Sequence, residues 1–378
     1  MSEPVYINRI SSYLPNEPVG NDEMEDFLGI VNGVPSRVRP IILRQNRIKT
    51  RYYALDKKHN ITHTNAELSK LAIDKLGFGH DELKKISFLS CGTSMPDQLM
   101  PSHASMVHGL AFDHPIEIAS LAGVCMSGLM ALKTAYMSIK SGNSSNAICT
   151  ASELISPTML SKFFKEEISH LKLIEENPYI AFEKDFLRFM LSDGAAAMYL
   201  SDKIESENSL RIEWIKTYSY ANIQSACMYM WAEKEENGNL LGWKTFTPKE
   251  ISERSVWSLK QDVRQLNKYA MLHFVDAVES SLKDTNTKCK DITYVIPHVS
   301  SMYFYDLLVK EFKKREIDLP TDKWFTNLTT VGNIGSASPF VALDEFIRTR
   351  NLKKGDTILL IVPESGRFSC GTALLTVM

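Results

Sequence analysis

Short apolar runs, rich in β-branched residues, recur along the chain and alternate with longer stretches whose apolar positions repeat at helical spacing. Runs of this length favour buried strands, and the stretches between them favour amphipathic helices. This alternation predicts an α/β fold built in layers. The strand-like runs are Ile86–Ser90, Ile116–Ala122, Asn146–Ala151, Ala195–Leu200, Ile292–Pro297 and Thr357–Val362.

One predicted helix, which begins near Cys125, has apolar side chains on most of its circumference. A helix with this pattern is enclosed by protein on all sides, so we expect it in the middle of the molecule. Its apolar positions are Met126, Leu129, Met130, Leu132, Ala135, Tyr136 and Ile139.

The segment around this helix has a counterpart later in the chain. Residues 123–153 and 334–364 each contain a turn, a helix, a polar loop with glycine, and a buried strand that ends in glutamate. Cys125 and Glu153 are 28 positions apart, and so are Ser336 and Glu364. Shorter similarities extend the match on both sides. We therefore predict a duplicated chain whose two central helices lie between two sheets.

The duplication predicts an N-terminal half at 1–205 and a C-terminal half at 206–378. The halves differ by an insert of about 34 residues (154–191), because 39 positions separate Glu153 from Ser192 and only 5 separate Glu364 from Ser369. Long loops of this size are often functional. The insert is amphipathic and aromatic, which suits either a cap over a binding tunnel or part of a subunit interface.

Composition excludes several classes of protein. The chain has 378 residues and a net charge of −2, which creates no general attraction for nucleic acid. No apolar stretch is long enough to span a membrane, and the first residues do not resemble a secretory signal. The six cysteines are scattered, which favours reduced thiols in the cytoplasm. No metal-ligand spacing is present, so no metal is expected.

Cys125 is the first candidate for chemistry, because it lies between a predicted strand and the N-terminus of the central helix. Unpaired backbone N–H groups and the helix dipole favour a thiolate there, and the thiolate is the nucleophilic form. The position therefore suits covalent acyl transfer. The alternative is a buried structural cysteine, which is a common role for this residue type.

His298 and Asn333 are the candidates for electrophilic assistance. His298 directly follows the strand-like run 292–297, and Asn333 directly precedes the second central helix. In a duplicated fold these two positions lie on the same side as Cys125. Acyl transfer needs donors for an oxygen that becomes negative during the reaction, which both side chains supply. Taken alone, each has a structural explanation, as a buried histidine or a turn asparagine.

With these motifs in place, the chain resembles the thiolase-fold condensing enzymes, most closely the β-ketoacyl-acyl-carrier-protein synthase III group. The resemblance covers nearly the whole length. The matching motifs are the nucleophile segment 122–128, the paired strand that begins at Ser192, the asparagine segment 332–338 and the final helix with its two strands. The segment 93–103 also looks like the family's stretch before its substrate channel.

The resemblance implies a five-layered α-β-α-β-α fold and a Cys-His-Asn triad on Cys125, His298 and Asn333. An acyl group from a carrier-protein or coenzyme A thioester loads onto the cysteine. Decarboxylative Claisen condensation with a malonyl- or β-ketoacyl-type thioester follows, and no cofactor is needed. It also implies a homodimer. The oxyanion hole is expected from the backbone N–H groups of Cys125, Gly366, Arg367 and Phe368.

Three departures from the family pattern favour a specialised member over an enzyme that starts fatty acid synthesis from acetyl coenzyme A. Val-Ser-Ser follows His298, the segment 364–368 replaces a glycine-rich loop, and no tryptophan stands near Ile41. We expect longer or carrier-bound acyl chains, in polyketide or lipid biosynthesis. Dialkylresorcinol-type ketosynthases are one such specialised group, and the chain is similar to them.

A basic segment at 36–58 is the candidate docking site for the carrier, since an acidic protein or a phosphate would be attracted there. A solvated loop is the alternative interpretation. The expected carrier- or coenzyme-binding residues are Arg44, Arg47, Lys49 and Arg51. The Met- and Trp-rich stretch 227–231 suits either an acyl tunnel or ordinary packing.

Two other functions fit the same residues. In the first, the acyl group on Cys125 passes to an alcohol or amine, so that no carbon–carbon bond forms and Asn333 is dispensable. In the second, the chain is a non-catalytic partner of another ketosynthase. Retention of Cys125, His298 and Asn333 argues against the non-catalytic partner.

Overall fold

The computed structural model describes residues 3–33, 35–36, 38–164 and 186–378. Within these ranges, nine strands form one mixed sheet in the order β13-β14-β15-β8-β1-β7-β6-β4-β5. The bounds are β1 Tyr6–Tyr13, β4 Phe88–Thr93, β5 Glu117–Ala122, β6 Asn146–Glu153, β7 Gly194–Ser201, β8 Leu210–Ser219, β13 Tyr294–Pro297, β14 Thr357–Glu364 and β15 Ser369–Val377.

Short strands form three small ribbons beside the main sheet, in the pairs β2-β3, β9-β12 and β10-β11. They are Val19–Gly20 (β2), Thr50–Arg51 (β3), Met228–Tyr229 (β9), Ala232–Lys234 (β10), Leu240–Gly242 (β11) and Lys260–Gln261 (β12). None of these short strands pairs with a strand of the nine-stranded sheet.

The two halves of the sheet repeat one pairing pattern. In the first half β4 runs parallel to β6, and β6 runs antiparallel to β7. In the second half β13 runs parallel to β14, and β14 runs antiparallel to β15. Two residue pairs between β1 and β8 join the halves. The division of the chain at residue 205 stays a prediction.

The described helices comprise two central ones and several that cover the outer faces. They are α1 Met24–Leu28, α2 Arg39–Asn46, α3 Asn65–Asp74, α4 His80–Leu83, α5 His103–Ala111, α6 Met126–Lys140, α7 Pro248–Glu253, α8 Val263–Asp284, α9 Met302–Lys314, α10 Leu328–Val331 and α11 Ser338–Thr349. Helices α3 and α5 pack on strands of the first half, and α8 packs on β8 and β15 of the second.

Helices α6 and α11 lie between the two halves of the sheet. Leu129 and Leu132 of α6, with Phe340 and Leu343 of α11, belong to one buried cluster that includes strand residues of both halves. Separate clusters lie under the outer helices of each half. Helices therefore cover the sheet on each side and fill its centre. The thiolase-like α/β fold is confirmed, and the two sheets expected from the sequence are the two halves of one continuous mixed sheet, joined at β1 and β8.

Burial along the strands follows from these layers. Strand β7 is buried throughout, and β6 is buried except at Asn146, because helices cover both faces. Strand β5 is different: it pairs only with β4, and none of its residues is fully buried. One long sheet edge is therefore open within the described part of the chain.

The insert predicted at 154–191 is described only at its ends. Residues 165–185, which include Leu171, Tyr179 and Phe182, lie outside the described residues, so its role as a cap or interface stays a prediction. Phe186 and Phe189 at its C-terminal end are buried in a core cluster that contains residues of both halves of the chain. Across the described ranges, no helix combines the length and apolarity that a membrane crossing requires.

Candidate active site

The turn that carries Cys125 connects the open edge strand β5 to the buried helix α6. Strand β5 ends at Ala122, α6 begins at Met126, and Cys125 occupies the position before the first helical residue with φ −61° and ψ −26°. The side chain is only 8% exposed. The structure thus places the thiol at a helix N-terminus in the protein interior.

Two glycines let the start of α6 approach its neighbours closely. A Cβ on Gly92 of β4 would stand 2.2 Å from the Ser127 carbonyl oxygen, and one on Gly128 would stand 2.4 Å from the Ser336 carbonyl oxygen. Neither contact leaves room for a side chain. The first turn of α6 therefore touches the turn that precedes α11.

Asn333 lies in that second turn and is held by its main chain and its side-chain oxygen. Its N–H donates to Met190 (3.1 Å), and its carbonyl accepts from the Ser192 N–H (2.9 Å). Its Oδ1 accepts from the Gly335 N–H at 3.0 Å. Among the described residues we find no partner for its amide nitrogen. The side-chain oxygen is occupied, whereas the amide donor is available for a substrate.

His298 follows β13, which was predicted to run from Ile292 to Pro297 and begins at Tyr294. Its N–H donates to the Ile361 carbonyl of β14 at 2.8 Å, and its side chain is buried. Burial lowers the pKa of His298 to about 4. The imidazole is therefore neutral at physiological pH, with one ring N–H to donate.

Two glutamates join the segments that carry these residues. Glu364 at the end of β14 accepts through Oε2 from the N–H groups of Val124 (2.9 Å) and Met126 (3.0 Å). Glu153 at the end of β6 accepts through Oε1 from the Ser336 N–H at 3.0 Å. The equal spacing of the two glutamates is visible in the sequence, whereas these contacts are not. Glu364 holds the turn of Cys125 to β14, which also binds the backbone of His298, and Glu153 holds the turn of Asn333 to β6.

The expected preference of Cys125 for the thiolate is wrong for this environment. Burial raises the pKa of the Cys125 thiol well above its ordinary value, and the nearby carboxylates of Glu364 and Glu153 raise it further. The effect of the helix N-terminus is outweighed by burial and by the carboxylate of Glu364, which accepts from the Met126 N–H. The thiol is therefore protonated at neutral pH.

The predicted oxyanion turn, Gly366 to Phe368, lies beside the nucleophile turn. A Cβ on Gly366 would stand 3.1 Å from Cγ2 of Val124. Phe368 has a left-handed backbone (φ 55°) and a fully buried ring, which packs against Tyr269, His273 and Phe274. Arg367 is exposed, and its Nε donates to the Gln224 carbonyl at 2.7 Å. The arginine therefore points away from the turn and does not block it.

The candidate carrier-binding residues separate into two groups. Arg44, Arg47 and Lys49 are exposed, and Arg47 forms an ion pair with Asp306. Arg51 is fully buried, and its guanidinium donates to Oδ1 of Asn21 (2.7 Å) and to the Phe189 carbonyl (3.4 Å). The assignment of Arg51 to a docking surface is wrong, because a partner protein cannot reach it.

The burial of Arg51 leads to a prediction about stability. Arg51→Ala removes the donors for Asn21 and Phe189 and opens a cavity, so we expect a loss of about 3 kcal/mol in the free energy of unfolding. Urea denaturation measures this difference. The neighbouring Lys49→Ala is the control, because Lys49 is exposed and its removal is expected to change stability little. Equal stability of the two variants would contradict a structural role for Arg51.

A cavity of about 310 Å³ lies beside the nucleophile turn. Its lining includes Gly123, Met126, Met130, Tyr218 and Glu364. A larger cavity of about 540 Å³ lies between β1 and Asp344, and neither cavity is lined by Cys125, His298 or Asn333. Within the described ranges, no three His, Cys, Asp or Glu side chains form a cluster that could hold a metal ion.

Comparison with known proteins identifies relatives over the full length. Residues 282–377 match the family described as 3-Oxoacyl-[acyl-carrier-protein (ACP)] synthase III C terminal. The β-ketoacyl-acyl-carrier-protein synthase III of Clostridium perfringens strain SM101 is 26% identical over 364 residues, which cover 96% of each chain.

Solved structures show the same fold. A Xanthomonas campestris OleA structure with bound lauric acid and lauroyl-CoA superposes over 100% of both chains, with a TM-score of 0.74 and 18% identity. AbyA1, a tetronic acid condensing enzyme, covers 98% of this chain and 99% of its own, with a TM-score of 0.73 and 19% identity. Fold, motifs and relatives agree: the chain is similar over nearly its whole length to the 3-oxoacyl-acyl-carrier-protein synthase III-like condensing enzymes.

Proposed function

We propose that this protein is a ketosynthase III-like acyltransferase that forms a carbon–carbon bond between two acyl groups. Cys125 holds the first acyl group as a thioester, and His298 and Asn333 act on the second. Two observations carry the proposal. The first turn of α6 touches the turn that carries Asn333, and Glu364 holds the Cys125 turn to β14, which binds the backbone of His298. The proposed reaction belongs to the 3-oxoacyl-acyl-carrier-protein synthase III type.

The first step is transfer of the acyl group from a coenzyme A or carrier-protein thioester to Cys125. The sulfur of Cys125 attacks the thioester carbonyl, a new C–S bond forms, and the donor's C–S bond breaks. The thiol proton leaves on the departing donor sulfur. The N–H groups of Cys125 and of the turn Gly366–Phe368 are proposed to hold the carbonyl oxygen while it carries negative charge.

The second step is condensation with a malonyl-type thioester. Loss of CO2 breaks a C–C bond and leaves an enolate, whose oxygen accepts hydrogen bonds from the neutral imidazole of His298 and the amide of Asn333. The enolate carbon then attacks the acyl group on Cys125. A C–C bond forms, the C–S bond to Cys125 breaks, and the sulfur takes up a proton from solvent as the β-ketoacyl product is released. Each donor is aimed at charge that develops during the reaction.

The donor is proposed to be a long or carrier-bound acyl chain. The departures after His298, in 364–368 and near Ile41 separate this chain from a typical acetyl coenzyme A-dependent member. The exposed residues Arg44, Arg47 and Lys49 supply positive charge for an acidic carrier or a coenzyme phosphate. Arg51 is no longer part of this docking site.

A homodimer is part of the proposal. Strand β5 leaves one edge of the main sheet unpaired, and its Ala119 and Leu121 are only partly buried. Unpaired sheet edges readily accept another strand, and identical chains commonly associate about a two-fold axis. The strand leads directly to the nucleophile turn, so a second copy there would border the site.

A product assay tests the proposed function. Purified protein is incubated with straight-chain acyl-CoA thioesters from acetyl to lauroyl, with and without malonyl-CoA, and CO2 and acyl products are measured. We expect a β-ketoacyl product and CO2 release only when malonyl-CoA is present. Transfer of the acyl group to an added alcohol or amine, without CO2 release, would contradict condensation. Absence of any acyl adduct would indicate a non-catalytic partner.

A further inference from the structure

Glu153 and Glu364 occupy equivalent places in the two halves, and each crosses to the other half. Glu153 ends β6 and binds the N–H of Ser336, which begins the approach to α11. Glu364 ends β14 and binds the N–H groups at the start of α6. Each central helix therefore receives its N-terminal carboxylate from the opposite half of the chain.

The contact that Glu364 makes with α6 differs from the contact of Glu153 with Ser336 because it lies on both sides of Cys125. At α6, one carboxylate oxygen accepts from the residues immediately before and after Cys125. The space around that carboxylate is tight: a Cβ on Gly123 would stand 3.4 Å from Oε2, and one on Gly366 would stand 3.3 Å from Oε1. Glycine at both positions thus permits the carboxylate to reach the nucleophile turn.

We propose that Glu364 is a positioning residue for Cys125. Its carboxylate fixes the turn through both flanking N–H groups and offsets the positive end of α6, which opposes formation of the thiolate in the absence of substrate. The inference rests on the nucleophilic role proposed for Cys125. It gives a role to Glu364, which lies in the segment 364–368 that replaces the glycine-rich loop of the family pattern.

The charges near the thiol support this role. Glu364 and Glu153 are the carboxylates that act on Cys125, and both raise its pKa. Burial raises the pKa of Glu364, and the N–H groups of Val124 and Met126 oppose that effect because they stabilise the charged form. Glu153 is held in addition by the Ser94 N–H (3.2 Å) and hydroxyl (2.6 Å). His298 is the other titratable group assigned to the site. It is neutral at physiological pH and adds no charge.

Alkylation of Cys125 by iodoacetamide tests the proposal, with the labelled peptide quantified by mass spectrometry between pH 6 and 9.5. Glu364→Gln keeps an oxygen that accepts both N–H bonds but removes the charge. We expect this variant to be alkylated roughly tenfold faster than wild type at pH 7, because its thiolate fraction rises. Asp344→Asn is the matched control: it neutralises another buried carboxylate that does not act on Cys125, and its alkylation rate should equal that of wild type.

Equal alkylation rates of wild type and Glu364→Gln would overturn the proposal. Wild type supplies a second test that needs no variant: its alkylation rate must rise through the whole pH range, and a rate already constant below pH 8 would also overturn it. Acylation by thioesters is measured separately. If no thioester acylates wild type, the proposed function fails, while the alkylation rates still decide the role of Glu364.

Discussion

Cys125→Ala is expected to abolish the covalent acyl adduct and to lower product formation by at least about 1000-fold. No other sulfur can replace it, because the thiol must lie at the N-terminus of α6 between the N–H groups bound by Glu364. Intact-protein mass spectrometry after incubation with acyl-CoA thioesters measures the adduct directly. Its mass also identifies the acyl chain that wild type accepts.

The matched control for Cys125→Ala is Cys289→Ala. Cys289 is the half-buried cysteine of the chain and lies just before the short segment that leads into β13, away from the nucleophile turn. We expect Cys289→Ala to retain the adduct and its rate of formation. An adduct of unchanged mass and yield in Cys125→Ala would disprove the assignment of the nucleophile.

Asn333→Asp and His298→Ala are expected to lower decarboxylation of malonyl-CoA by about 100- to 1000-fold, which is typical for loss of one donor to a developing negative oxygen. Acyl loading of Cys125 should change only a few-fold, because neither side chain is assigned to that step. Asn333→Asp is chosen because its oxygen still accepts from the Gly335 N–H, so the turn keeps its main-chain contacts. Release of labelled CO2 and the adduct mass measure the two steps separately.

The two variants also distinguish condensation from simple acyl transfer. If Asn333→Asp passes an acyl group to an alcohol or amine at the wild-type rate, the carbon–carbon bond-forming mechanism is wrong. If both variants lose acyl loading as strongly as decarboxylation, the two side chains act on the first step and our division of roles fails. Circular dichroism establishes that each variant is folded before these rates are compared.

Much of the architecture was predictable because its signals are local. Each of the six apolar runs is a strand whose bounds differ by at most three residues from those expected, as in β4, predicted at 86–90 and found at Phe88–Thr93. The helix after Cys125 is buried as its apolar circumference indicates. These features depend on which side chains along one segment are buried, and the spacing of apolar residues in the sequence shows this directly.

The remaining features depend on contacts between residues far apart in the chain. A charge count places Arg51 with its exposed basic neighbours, and only the fold shows that Asn21 and Phe189 enclose it. The ionisation of Cys125 was mispredicted for the same reason, since the local sequence shows neither the burial of the thiol, which raises its pKa most, nor Glu364, 239 positions later, at the helix terminus. The carboxylates near Cys125 are distant from it in the sequence, so the local sequence does not show the protonation state of the thiol.

Glu153 and Glu364 each bind the opposite half of the chain, and this has a consequence for biosynthesis of the protein. A ribosome makes the chain from its N-terminus, so Cys125 and α6 exist long before β14 and Glu364 have been synthesised. Until then the N–H groups beside Cys125 lack their carboxylate, and neither half contains a complete nucleophile turn. Strand β14 completes the turn, so that acyl loading on the finished turn is delayed until β14 has been synthesised and has folded onto α6.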